Sequence, residues 1–169
     1  MIIYFDASAL IKSLIEEPGS INIHNFLLET AQLEETIIFA TSAVTKAEIM
    51  AALSAIRRGR HLTQKKFEKA VVDFKTRWKA FFIPEVTHFL IDKAGEIGLN
   101  HKIKGCDAFQ LASALEVETD IFISTDNDLN AAALENGLFV WNPMTEPIPK
   151  IKNIIRGRAT AKLIPIDKG

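Results

Sequence analysis

A chain of 169 residues, 48% hydrophobic and 24% charged, has the size and balance of one globular domain with its own core, which excludes a disordered chain and a membrane protein. The formal net charge of -1 conceals a division: residues 150–169 hold six of the 20 Lys+Arg but one of the 21 Asp+Glu, so the body is acidic. A single cysteine, Cys106, excludes an internal disulfide and suits a reducing cytoplasm, and no apolar run reaches the length of a membrane span.

The chain opens on Ile2 to Phe5, apolar on both faces, and runs straight into Asp6. This predicts the buried central strand of a parallel sheet, delivering one carboxylate to the edge where such sheets place their ligands. The apolar start is too short and too soon interrupted by Asp6 for a signal peptide, so a cytoplasmic location is expected. Ala7 to Ile15 reads as helix, broken by Glu16-Glu17-Pro18-Gly19, and Ser20 as the cap of a second helix to about Leu33. Ile37 to Ala40 is a second apolar strand. Thr41-Ser42 then caps a long helix through Arg58, with Ile49, Leu53 and Ile56 as its core face and Gly59 as its stop.

A helix from Thr63 to about Lys79 follows, then a short strand, Phe81 to Ile83, ended by Pro84, and a helix from Glu85 to Ile97. Between about Lys104 and Val117, the residues Ala108, Leu111, Ala112 and Leu115 recur at i, i+3, i+4 and i+7, the clearest helical period in the chain. Ile121 to Ile123 is a fourth strand, Asn127 to Glu135 a helix stopped by Asn136-Gly137, and Leu138 to Trp141 a fifth strand. The pattern dissolves among Pro143, Pro147 and Pro149. Strands alternating with helices predict a three-layer α/β/α domain over residues 1–145 with a five-stranded, mainly parallel sheet, followed by a basic tail over 146–169.

Asp6 and Asp126 each follow an apolar strand directly or within three residues, so a parallel sheet brings both to one edge. Glu48 lies in the first half of the long helix beside the small residues Ala51, Ala52 and Ala55, and Asp107 in the first turn of the most periodic helix. Taken singly, Asp107 and Asp126 also read as helix caps and Glu48 as a solvated helix residue. Asp6 is harder to set aside, because a carboxylate ending a buried strand gives up solvation and needs a partner or a cation in return. Two carboxylates about 4 Å apart repel by about 4 kcal/mol at an effective dielectric of 20. Four on one edge therefore call for a cation, and hard oxygen ligands select Mg²⁺ or Mn²⁺.

The segments DASAL, TKAEIMAAL, GCDAFQLASAL and FISTDNDL, taken in that order, resemble the PIN-domain nucleases, and within them the VapC-type toxins of toxin/antitoxin pairs. The resemblance covers roughly residues 1–142. It implies a Mg²⁺ or Mn²⁺ site formed by Asp6, Glu48, Asp107 and Asp126 at the carboxyl edge of the sheet, and endonucleolytic hydrolysis of RNA by metal-activated water. It also implies an antitoxin protein partner and a homodimer. Ser8 and Ser124 fall where the family keeps a hydroxyl near the metal, and Asp128 is a fifth acid of the same region.

Several features carry less. The basic turn with Arg57, Arg58, Arg60, His61, Lys65 and Lys66 suits either an RNA backbone or a helix end and a solvated face. The tail from Lys150 suits either disorder or a contact through Leu163-Ile164-Pro165-Ile166. Cys106 reads as small filling rather than a nucleophile, and His24, His61, His88 and His101 show no zinc spacing. Two other functions stay open at this level. One is a PIN-like module that binds RNA or protein without cutting; the other is an aspartyl-phosphate hydrolase, against which stands Ser8 where a second acid is needed.

Overall fold

The computed structural model describes residues 1–59 and 61–154. Strand β1 (Ile2–Phe5) is buried from Ile3 onward, and the sheet is registered to it. On one side it pairs in parallel with β2 (Ile38–Ala40), Ile3 opposite Phe39. On the other it pairs in parallel with β3 (Ile121–Ile123), Phe5 opposite Ile123, and β3 in turn pairs with β4 (Val140–Trp141), giving the order β2-β1-β3-β4.

The expected five strands are four among the described residues. Phe81 to Ile83 makes a single parallel bridge, Phe82 against Ala40: the Phe82 N–H donates to the Phe39 carbonyl at 2.8 Å and the Thr41 N–H to the Phe82 carbonyl at 3.1 Å. The next donor in register is residue 84, a proline with no N–H, so pairing stops there.

Side chains alternate across the sheet with the strand period of two. Ile3, Phe5, Ile121 and Ile123 face one core, shared with Ile23 and Phe26 of α2 (Ser20–Ala31), Ile49 and Leu53 of α3 (Thr45–Arg58) and Phe74 of α4 (Gln64–Trp78). Tyr4 and Phe122 face the other, shared with Leu90 of α5 (His88–Asn100), Leu111 and Ala112 of α6 (Gly105–Glu116) and Leu129 of α7 (Asn127–Glu135). The result is the expected three-layer α/β/α arrangement.

Boundaries moved where a side chain found other work. The helix expected from Ala7 to Ile15 is a short α1 (Ala7–Leu10) continued by a 3-10 turn, Ile11–Ser13. Gly19, at φ 90°, precedes α2, while the Ser20 hydroxyl accepts from the Glu17 N–H and donates to the Ile15 carbonyl instead of capping. Thr41 does not cap α3 either; its hydroxyl donates to the Phe5 carbonyl at 2.7 Å, and the helix begins at Thr45.

Helix α5 starts three residues later than Glu85 because Thr87 caps it, accepting from the Leu90 N–H at 3.2 Å. A Thr87→Ala protein is expected to lose about 1 kcal/mol of stability, read as a lower urea midpoint with unchanged slope.

Past β4, Ile148 and Ile154 are partly buried and Ile151 is 4% exposed, all packed on the first core. The remainder of the basic tail, 155–169, and Arg60 of the basic turn lie outside the described residues.

Candidate acidic site at the carboxyl edge of the sheet

The site is built from the end of β1. Asp6 is 4% exposed and its backbone N–H still bonds to β3, through the Ile123 carbonyl at 3.0 Å. The carboxylate turns back to cap α1: Oδ2 accepts from the Ser8 N–H at 3.1 Å, the Ser8 hydroxyl at 2.6 Å and the Ser124 hydroxyl at 3.1 Å. Ser124 follows β3 directly, and its Oγ accepts from the Asp126 N–H at 3.1 Å. One hydroxyl thus ties the first and last predicted acids, while Ser8 Oγ accepts from the Thr125 N–H at 2.9 Å and closes the loop. Burial pushes the Asp6 carboxyl above the ordinary range, against the pull of those hydrogen bonds.

Glu48 reaches the same edge from the first turn of α3 and is partly buried. Its Oε2 accepts from Gln110 Nε2 at 2.6 Å. Burial raises its carboxyl, the Gln110 bond lowers it, and the charges of Asp6 and Asp107 raise it again. Asp107 sits in the first turn of α6, where Oδ2 accepts from the Lys104 N–H at 3.2 Å. Burial raises it most; the Lys104 N–H bond lowers it, the Asp126 charge raises it, the Lys104 charge lowers it and the Asp128 charge raises it.

Asp126 caps α7, its Oδ1 accepting from the Asp128 and Leu129 N–H groups at 3.0 Å each. Asp107, Asp126 and Asp128 line a cleft of about 450 Å³ together with His101, Lys102 and Lys104.

All four predicted acids are therefore electrostatic neighbours in series, Asp6 beside Glu48, Glu48 beside Asp107, and Asp107 beside Asp126. The cap readings of Asp107 and Asp126 hold as well: each uses an oxygen to end a helix. Among the described residues no three His, Cys, Asp or Glu side chains are placed close enough together to hold a metal ion. The donor set is nonetheless the one a hard divalent cation takes: carboxylates and hydroxyls, with Glu48 and Asp107 raised first by burial and further by neighbouring negative charge.

Sequence reasoning passed over Gln110 and Tyr4. Gln110 is fully buried; its Nε2 also donates to the Thr45 hydroxyl at 2.8 Å, and its Oε1 accepts from the Tyr4 hydroxyl at 2.8 Å. The available signal was a glutamine one turn beyond Asp107 on a helix whose neighbours Ala108 and Leu111 are core residues.

The basic turn is partly spent on local contacts: the Arg57 guanidinium lies 5.1 Å from the centre of the Phe67 ring, and Arg58 donates to the Ser54 hydroxyl at 2.7 Å. Cys106, read as filling, is exposed. Its thiol is raised by slight desolvation from its neighbours and then by the charges of Glu48 and Asp107. No helix among the described residues is long and apolar enough to cross a membrane.

A family model described as the PIN domain matches residues 3–135. The chain is 34% identical over 116 residues to ribonuclease VapC45 and to ribonuclease VapC49, both of Mycobacterium tuberculosis, spanning 69% of this chain and 76% of each relative. Its backbone is similar to VapBC2 from Rickettsia felis, solved bound to a promoter DNA fragment, with TM-score 0.59 and 15% identity over 84% of this chain and 98% of that one. It is similar also to VapBC-1 of nontypeable Haemophilus influenzae, with TM-score 0.59 and 14% identity over 86% and 100%. At those identities the structural likeness is one of fold.

Proposed function

The chain belongs to the PIN-domain family, and from that premise we propose that it is a VapC-type toxin, a Mg²⁺- or Mn²⁺-dependent endoribonuclease that hydrolyses RNA phosphodiester bonds. The observation that carries the reading is the series of four acids from four different elements at the carboxyl edge of a parallel sheet, with Asp6, Glu48 and Asp107 raised first by burial and Asp126 hydrogen-bonded through Ser124 to Asp6. Asp6, Glu48, Asp107 and Asp126 would hold the cation. When bound, it supplies Lewis-acid activation of water and neutralises charge on the phosphoryl oxygens.

The protein's own share is orientation. Ser8 and Ser124 fix the Asp6 carboxylate, the α6 turn fixes Asp107, and the α7 turn fixes Asp126. Lys102 and Lys104 on the wall of the cleft would meet the phosphates on either side of the scissile bond. An antitoxin partner, a homodimer and a cytoplasmic location complete the proposal. The four acids favour a cutting enzyme over a binding module.

The test is purified protein incubated with tRNA and rRNA: cleavage with Mg²⁺ or Mn²⁺, lost in EDTA, supports the reading, and RNA binding without cleavage overturns it. A Lys102→Ala, Lys104→Ala double variant is expected to weaken RNA binding and flatten its log–log salt slope by roughly 0.7 per lost phosphate contact. Filter binding between low and physiological salt measures this.

A further inference from the structure

The polar interior beneath the acids is a second construction that the four carboxylates do not explain. Gln110 makes three hydrogen bonds to two other elements: to Tyr4 of β1, and to Thr45 and Glu48 of α3, from its own place on α6. Its neighbours are committed too. The Thr45 hydroxyl lies 2.8 Å from that of Thr41, which donates to the Phe5 carbonyl, one residue before Asp6. The Tyr4 ring is stacked on Phe122 at 5.4 Å between centroids, so its hydroxyl has little freedom to move.

The orientation of the amide follows from this arrangement. A carboxylate only accepts, so the NH₂ end faces Glu48; the other end must then accept, and the Tyr4 hydroxyl donates to it. Glu48 Oε2 is therefore held by a charge-assisted bond at 2.6 Å whose donor is itself anchored at both ends. Among the described residues Oε1 has no hydrogen-bond partner, while Oε2 is fixed by Gln110.

We propose that Gln110 is a positioning residue that, braced by Tyr4 and Thr45, presents Glu48 to a divalent cation. This rests on the metal-dependent reading above. An apolar helix position at that place would pack equally well between α3 and β1, but it would leave Glu48 to choose among rotamers in a field of repelling carboxylates. Outer contacts of this kind are worth about ten- to a hundredfold in metal affinity or activity.

The test uses Gln110→Met, which keeps length and bulk, and Tyr4→Phe, which keeps the stacked ring and removes only the hydroxyl that orients the amide. Mn²⁺ binding is measured by calorimetry, and kcat and KM on a short RNA are measured separately. Gln110→Met is expected to raise the Mn²⁺ Kd and lower kcat by about ten- to a hundredfold with KM for RNA unchanged. Tyr4→Phe is expected to raise the Kd about fivefold, as for one neutral hydrogen bond.

A folded Gln110→Met protein with lowered Tm but wild-type Mn²⁺ Kd and kcat makes Gln110 merely structural and overturns the proposal. If Gln110→Met does not fold, a wild-type Kd in Tyr4→Phe overturns it. Wild-type protein that binds no Mn²⁺ overturns the metal-dependent reading with it, whereas Mn²⁺-dependent cleavage unaltered in both variants removes only the role of Gln110.

Discussion

Asp6→Asn and Asp107→Asn proteins are each expected to cleave RNA at least about a hundredfold more slowly than wild type at saturating Mg²⁺, since a bound cation supplies several kcal/mol of transition-state stabilisation. Both substitutions spare the fold for the same reason. The asparagine carbonyl oxygen can still accept from the Ser8 and Ser124 hydroxyls at one site and from the Lys104 N–H at the other. What is lost is the charge, so circular dichroism and melting should show folded protein while end-mapped cleavage products disappear. Wild-type cleavage rates in both variants would sink the assignment of these acids.

The second large effect is on stability. Mn²⁺ at about a hundred times its Kd is expected to stabilise the wild-type protein by about 2.7 kcal/mol, a rise in Tm of roughly 5–10 °C for a chain of this size. Asp6→Asn should abolish most of that rise. Without metal the order reverses. Burial holds the Asp6 carboxyl above its unfolded value. Its contribution to folding is therefore complete below the unfolded pKa near 4 and is lost as pH rises through the raised folded value.

In EDTA, then, Asp6→Asn should melt above wild type, by a gap that widens as pH is raised from about 4 to 7. A gap that stays constant with pH would mean that ionised Asp6 costs the fold nothing.

These expectations depend on features that were legible in the sequence to very different degrees. The all-apolar run before Asp6 has one comfortable place, the middle of a parallel sheet, and β1 occupies it with Ile3, Tyr4 and Phe5 buried. The period around Leu111 likewise has one reading, and α6 follows it within a residue at each end. The strand at Phe81 to Ile83 was overread because an apolar tripeptide carries no information about its partner's register, and the missing N–H of Pro84 matters only once Thr41 lies opposite. In sequence the start of α3 falls too early because Thr41 reads as a cap, and that of α5 falls too early because Glu85 reads as helix and Thr87 is passed over as its cap. Only the fold puts the Phe5 carbonyl within reach of Thr41.

The site divides along the same line. The elements that carry Asp6, Glu48, Asp107 and Asp126, the four acids proposed to hold the cation, were legible from local pattern, because each acid lies just after a strand or in a first helical turn whose position is locally determined. Sequence by itself also determined the α/β class, through the alternation of apolar strands with periodic helices. Tertiary structure alone decided that Ser124 links Asp6 to Asp126 and that a buried glutamine braces Glu48 against Tyr4 and Thr45. The reason is physical: apart from the local Ser124–Asp126 bond, those hydrogen bonds join residues 62 to 118 positions apart. A polar side chain's burial, unlike an apolar one's, is decided by the partner that the fold brings to it.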